Sequence, residues 1–191
     1  MIPCTTTSPA KLGSLTATQL VNEAARFRPR PGGDVVVHGI KTAAAILARR
    51  IQALDAELDT LDIQLAPLVK AAAPAMLNIF GVGVDTAAVL IVAAGDNPQR
   101  IVSESAWAMI CGVAPIPVMS GKIDNRYRLN SGGNRHANNA LWRIVITRLG
   151  QHEPRTMAYM NRRLAEGKSK PEIIRCLKRY VARETFQALL R

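Results

Sequence analysis

Between Lys41 and Ala72 the apolar residues Ala44, Leu47, Ile51, Leu54, Leu58, Leu61, Leu65 and Leu68 recur at alternating intervals of three and four. No other feature limits the fold so sharply. An average spacing of 3.5 residues keeps one stripe of a helix on a single side, and a stripe held that regularly for more than three heptads predicts a coiled-coil helix over 41–72. The partner is either a second copy of the chain or another of its own helices. Because no second heptad run exists in the sequence, self-association into a homo-oligomer is the favoured expectation. The segment "AAAPAM" then ends the helix at Pro74.

Around this helix the chain divides into three. Residues 1–40 read as a lead-in and linker, holding one short amphipathic helix from Thr16 that stops at "RPRPGGD", where two prolines and two glycines break regular structure. Residues 41–72 are the coiled-coil helix. Residues 73–191 form a compact C-terminal domain, with helices expected in "GGNRHANNALWRIVITRL", "PRTMAYMNRRLAEG" and "KPEIIRCLKRYVARETFQALL", where Pro154 and Pro171 suit first-turn positions. Aromatic residues make up only 4% of a chain that is 48% hydrophobic, so aliphatic side chains build the interior. The predicted fold class is all-α. Gly112 to Asn130 reads as one long irregular active loop, with a small β-hairpin within Ile116 to Leu129 as the other option.

Cys4, Cys111 and Cys176 lie far apart with no C-x-x-C pair, and His38, His136 and His152 are not near them. A disulfide framework and a zinc site are not expected, and a reducing cytoplasm suits the composition best. No uninterrupted stretch approaches the ~18 apolar residues of a membrane helix, and "MIPCTTTSPAKLGSL" lacks a basic segment followed by an apolar run, so a soluble, unexported chain is the expectation. Charge is more informative. The net +11 is confined to the last part of the chain, since residues 122–191 hold sixteen Lys/Arg against five Asp/Glu while residues 1–121 hold nine of each. A localised basic field suits a polyanion, because neutralised phosphates release their counterions. A solvated basic surface is the plainer alternative.

The run Met76 to Asp96 has the layout of a helix-hairpin-helix, with Gly81-Val82-Gly83 as the turn and a second helix beginning near Asp85 and Thr86. Such a helix start offers unpaired N–H groups to a phosphate and grips a backbone without reading bases. A ligand-free helix pair is the competing reading. A dinucleotide loop is disfavoured because no strand precedes the glycines and no third glycine follows.

The phrase "VAPIPVMSGKIDNRY" sets Ser120 before Gly121 and Lys122, with Arg126 and Arg128 close behind. Local chemistry alone makes Ser120 a turn serine. Asn134 and Arg135 open the next helix, where an arginine could hold phosphate bidentately and an asparagine could either cap the helix or contact nucleic acid. Asn138 and Asn139 are further polar candidates, Ser131 is the rival serine, His136 reads as a surface or packing residue, and Trp142 reads as core.

Four linked stretches, "IFGVGVDTAAVLI", "GDNPQRIVSESAWAMICGVAPIPVMSGK", "RLNSGGNRHANNALWRIVI" and "GKSKPEIIRCLKRYVARE", resemble in order and spacing the insertion-sequence 110 family of transposases, over roughly residues 8–190. The resemblance implies DNA transposition with Ser120 as the nucleophile, a covalent phosphoserine intermediate, and a guide, or bridge, RNA that pairs with the DNA partners. Gly81, Gly83, Asp85, Thr86, Lys122, Arg126, Arg128, Asn134 and Arg135 are then the expected nucleic-acid contacts. The family's resolvase-like acidic domain, which binds magnesium, has no counterpart in this sequence. No metal or cofactor is therefore expected on the chain alone, and a truncated form that is inactive by itself is the expectation. A non-catalytic, dimeric helix-hairpin-helix nucleic-acid-binding protein is the alternative.

Overall fold

The computed structural model describes residues 13–29, 34–96, 99, 101–120 and 123–190, and the side chains of 118–126 lie outside the description. The order is α1 (Ala17–Ala25), α2 (Val35–Ala72), a 3₁₀ turn (Pro74–Asn78), α3 (Val84–Ala94), α4 (Glu104–Ile110), β1 (Ile116–Ser120), β2 (Ile123–Arg128), α5 (Arg135–Gly150), α6 (Pro154–Ala165) and α7 (Lys170–Leu189). The fold is all-α with one small sheet. The chain divides into two compact units, residues 1–61 and 62–191.

In the first unit Thr16 and Gln19 close α1 with a capping box, each side chain satisfying the other residue's backbone N–H. Arg49 of α2 donates to the carbonyls of Ala25 and Phe27 at 3.2 and 3.3 Å, and Gln52 donates to Asn22 at 2.8 Å. The two Arg49 bonds satisfy backbone carbonyls at and just beyond the end of α1. Most of the linker proposed at Arg28–Asp34 lies outside the described residues. The long helix begins at Val35, six residues before the expected Lys41, because Asp34 caps it by accepting from the N–H of Val36 at 2.8 Å. It runs unbroken to Ala72 with Pro67 inside it. Along the heptad stripe Leu47, Ile51, Leu54, Leu58, Leu61 and Leu68 are between 43% and 66% exposed.

The second unit holds the larger core. Helix α5 packs against α3 and α7, α4 packs on α7, and α6 lies against both α5 and α7. Met76, Leu90, Trp107, Leu141, Ile144 and Ile173 are fully buried between them. Trp107 brings a polar N–H into this interior. That group donates to Thr185 Oγ1 at 3.1 Å, and Thr185 donates onward to the Ala182 carbonyl, so neither is left unpaired. Arg148, 8% exposed, donates to the Phe80 carbonyl and forms an ion pair with Glu184 at 2.6 Å.

Three expectations need correction. The first arm of the 76–96 hairpin is a five-residue 3₁₀ turn rather than an α-helix, since Pro74 has stopped α2 and Gly81 arrives before another α-turn can form. The stretch expected to be irregular contains an antiparallel hairpin, pairing Ile116 with Arg128 and Ser120 with Ile123. Trp142 is 44% exposed rather than core, because the buried stripe of α5 runs through Ala137, Ala140, Leu141, Ile144 and Val145.

Candidate nucleic-acid interface

The turn "NSGGNR" between β2 and α5 is fastened to the end of α4 from both sides. Asn130 Nδ2 donates to the Met109 carbonyl and its Oδ1 accepts from Gly132, while the Asn134 N–H reaches the Ile110 carbonyl at 2.6 Å. This closeness requires glycine. A Cβ on Gly133 would sit 2.2 Å from the Gly112 Cα, and Gly112 itself has φ +66°. Asn134 then caps α5 by accepting from His136 and Ala137. The cap reading of Asn134 therefore accounts for its side-chain oxygen.

Beside this turn lies a cleft of about 410 Å³ lined by Gly112, Asn130, Ser131, Gly133, Arg135, Asn138, Asn139, Trp142 and Lys178. Asn138 is fully used: its Nδ2 donates to the carbonyls of Cys111 and Gly112, and its Oδ1 accepts from Lys178 Nζ at 2.7 Å. It braces the wall and delivers the ammonium of Lys178 into the cleft. Burial, then the neighbouring charge of Arg175, lowers the pKa of Lys178. Sequence reasoning placed Trp142 in the core and did not count Lys178 among the site residues, and so missed both as walls of one recess. The available signal was the spacing of Arg135, Asn138 or Asn139, and Trp142, which puts all of them on one face of α5.

The hairpin stands next to this cleft in sequence, with its foot at Ile116 and Arg128. Ser120 ends β1, about 13 Å along the strand from that foot at ~3.3 Å per residue. Asp124 and Asn125 of β2 stand opposite Met119 alone, so the pairing register shifts just before Ser120. A bulge of this kind twists the strand and re-aims its side chains. Lys122 lies outside the described residues, as does the side chain of Arg126, whose backbone pairs with Val118. Arg128 and Tyr127 are exposed.

The helix-hairpin-helix candidates are gathered at the start of α3, each with an intramolecular role. Gly81 has φ +82°, and a Cβ there would come within 3.2 Å of Arg148 and 3.3 Å of the Ile144 carbonyl. Gly83 donates its N–H to Thr86 Oγ1 at 2.9 Å, so the helix start is capped from within by a buried threonine. Asp85 forms an ion pair with Arg143. A carboxylate in the first turn favours the helix dipole but repels an approaching phosphate.

The basic excess divides in the same way. Arg143, Arg148, Arg163 and Arg183 are tied to Asp85, Glu184, Glu166 and Glu104. Among the described residues Arg128, Arg135, Arg155 and Arg175 have no carboxylate within ion-pair distance. Burial pushes the Cys111 thiol up to about 12, which removes it as a nucleophile at neutral pH. Among the described residues no group of three or more His, Cys, Asp or Glu side chains could hold a metal ion, and no helix is long and apolar enough to cross a membrane.

A second cleft, of about 610 Å³, lies between the 3₁₀ turn, α6 and α7, with Arg148 and Glu184 in its wall and Phe80, Tyr159 and Tyr180 around it. It contains none of the residues singled out from the sequence for nucleic-acid contact.

Residues 73–161 match the Transposase IS116/IS110/IS902 family. The chain is 28% identical over 141 residues, 74% of its own length, to the insertion element IS110 uncharacterized 43.6 kDa protein of Streptomyces coelicolor, covering 33% of that protein. It is 25% identical over 168 residues, 87% of its length, to the insertion element IS900 uncharacterized 42 kDa protein of Mycobacterium paratuberculosis, covering 41% of it. The matches thus span less than half of each relative. The hairpin, the "NSGGNR" turn and every wall of the first cleft except Lys178 fall within the family region.

Proposed function

We propose that the chain, whose residues 73–161 match the Transposase IS116/IS110/IS902 family, acts in DNA transposition and that its C-terminal unit supplies the serine that cuts and rejoins DNA. The supporting observation is the joining, inside the family region, of a basic hairpin that carries Ser120 with a polar cleft beside its foot. In this reading Ser120 Oγ attacks a DNA phosphorus. The Oγ–P bond forms, the bond from phosphorus to one sugar oxygen breaks, and the serine proton ends on the departing hydroxyl. Lys122 and Arg126, near the tip, neutralise the phosphate under attack, while Arg128 and Arg135, at the foot, hold backbone phosphates further along the nucleic acid. A serine hydroxyl is a weak nucleophile and needs a base or metal beside it. The reading therefore takes the carboxylates and their metal from the acidic domain that the family resemblance implies, with a guide RNA choosing the DNA sequence by pairing.

Self-association through α2 belongs to the same proposal. Its exposed leucine stripe suits a second copy, which would let serine and acidic domain meet across an interface. The test mixes the chain with junction DNA, guide RNA, magnesium and the acidic domain supplied in trans. A denaturant-resistant protein–DNA adduct is expected, and it should vanish in Ser120→Ala. An adduct that survives that substitution sinks the nucleophile assignment. Salt-sensitive DNA binding without any adduct would favour the non-catalytic binding module instead.

A further inference from the structure

We infer that the cleft between the "NSGGNR" turn, α5 and α7 is a receptor for one unpaired nucleotide, its base stacked on Trp142 and its phosphate held by Arg135 and Lys178. The inference rests on the nucleic-acid reading above and adds a site to it, some distance from Ser120 along the hairpin. Four observations carry it. The recess, about 410 Å³, falls within the ~300–1,000 Å³ typical of small-molecule sites. Its walls are polar and cationic with one aromatic, the composition that takes a nucleotide rather than an apolar peptide or a bare anion. Trp142 is 44% exposed in a protein whose other tryptophan, Trp107, is wholly buried. An indole left open on a recessed surface presents a flat face to a base.

Spacing supplies the third observation. Arg135 and Trp142 are seven residues apart on α5, two turns on one face, or about 10 Å along the axis. That separation allows a guanidinium and an indole to reach opposite ends of one nucleotide. Asn139 lies between them as a polar contact for sugar or base edge. Fourth, Lys178 enters from α7 already oriented, because Asn138 fixes its ammonium at 2.7 Å and Asn138 is itself held by the carbonyls of Cys111 and Gly112. A half-buried cation held this way is preorganised for an anion and loses little freedom on binding. A duplex keeps its bases stacked and paired, so the fitting class is an unpaired residue of DNA or RNA. One tryptophan selects one base position, not a run of stacked bases.

The experiment titrates the full chain with oligo(dT), oligo(U), a duplex, and an oligonucleotide of equal phosphate count that lacks bases, following tryptophan fluorescence and affinity. Single strands should quench Trp142 emission and bind about five- to a hundred-fold more tightly than the abasic strand, the range expected for one stacked base. The DNA and RNA arms decide which source fills the cleft. Trp142→Ala should remove the quench and most of that preference. Arg135→Gln and Lys178→Gln, which keep the indole, should each reduce the salt slope by about one phosphate. The inference is overturned if Trp142→Ala and the native chain bind single strands and abasic strands alike while salt-sensitive binding persists. Absence of salt-sensitive binding to any of the four would instead overturn the nucleic-acid reading on which it depends.

Discussion

Helices α2 and α7 are both long and both carry an apolar stripe, yet they use it in opposite ways. Over its 20 residues α7 buries Ile173, Leu177, Val181, Ala182, Thr185, Phe186 and Ala188. Over its 38 residues α2 buries only Ala45, Ala48 and Val69, and leaves Leu47, Leu54, Leu58, Leu61 and Leu68 exposed. The cause is the width of the stripe. The buried positions of α7 include the neighbouring pairs Val181–Ala182 and Thr185–Phe186, spreading over a broad arc that fits a concave interior. The leucines of α2 keep strictly to intervals of three and four, a narrow seam suited to a single partner helix. Apolar content alone does not separate a core helix from a seam helix, but the arc it covers does.

The largest test of that contrast is Trp107→Ala, which opens a cavity where α4 meets α7. Unfolding free energy should fall by about 3–5 kcal/mol, read from denaturant titration. A fall below ~1 kcal/mol would mean that α7 is not the centre of the folded unit. Next, Gly133→Ala forces the "NSGGNR" turn off the end of α4, at about 1–3 kcal/mol for a backbone that cannot yield easily, and should loosen the cleft as well. Thr185→Val removes the acceptor for the Trp107 N–H and should cost about 1–3 kcal/mol. Equal stability of this variant and the native chain would show the buried N–H to be satisfied elsewhere.

The same scale of change on α2 should behave differently. The pair Leu54→Glu with Leu58→Glu touches only exposed positions, so monomer stability should move by less than about 0.5 kcal/mol per site. Sedimentation should nevertheless shift towards the monomer, because charge replaces the seam. An unchanged association state would remove α2 as the oligomer contact.

The smallest expected effect is on pH. Glu153 caps α6 by accepting from the Thr156 N–H at 2.6 Å, and its pKa is lowered chiefly by hydrogen bonding to Thr156. A depressed carboxylate stabilises the fold above its ordinary value of 4.5 and loses that contribution as pH falls through the lower folded value. The stability difference between the native chain and Glu153→Gln should therefore shrink between pH 5 and pH 3, followed by thermal unfolding. A difference that stays constant across that window would show that Glu153 does not cap α6 through its charge.

Helix locations were legible because caps and breakers are local. Asp34, Ser103, Asn134, Glu153 and Ser169 stand just before α2, α4, α5, α6 and α7, and Pro74 stops α2. The heptad stripe, the basic excess after residue 121 and the family motifs were likewise readable from one dimension. The cleft was not. Trp142 looks like core on a helix with so apolar a sequence, and only the angular position of the α5 stripe turns it outward. Lys178 and Asn138 are forty residues apart, and no local rule joins them.

What the sequence determined by itself was thus most of what near neighbours set: helix boundaries, apart from the early start of α2 and the 3₁₀ arm at Pro74–Asn78, the narrow apolar stripe of α2, the sign and place of the charge, and the serine-bearing motif. The tertiary structure alone decided which basic residues are bound to carboxylates, which glycines are needed because Gly112 and Gly133 touch, and that a tryptophan and a lysine from different helices line one recess. The reason is physical. Caps and periodicities act within one or two turns of chain, whereas ion pairs, close backbone approaches and clefts depend on which distant segments the burial of Trp107, Leu141 and Ile173 brings together.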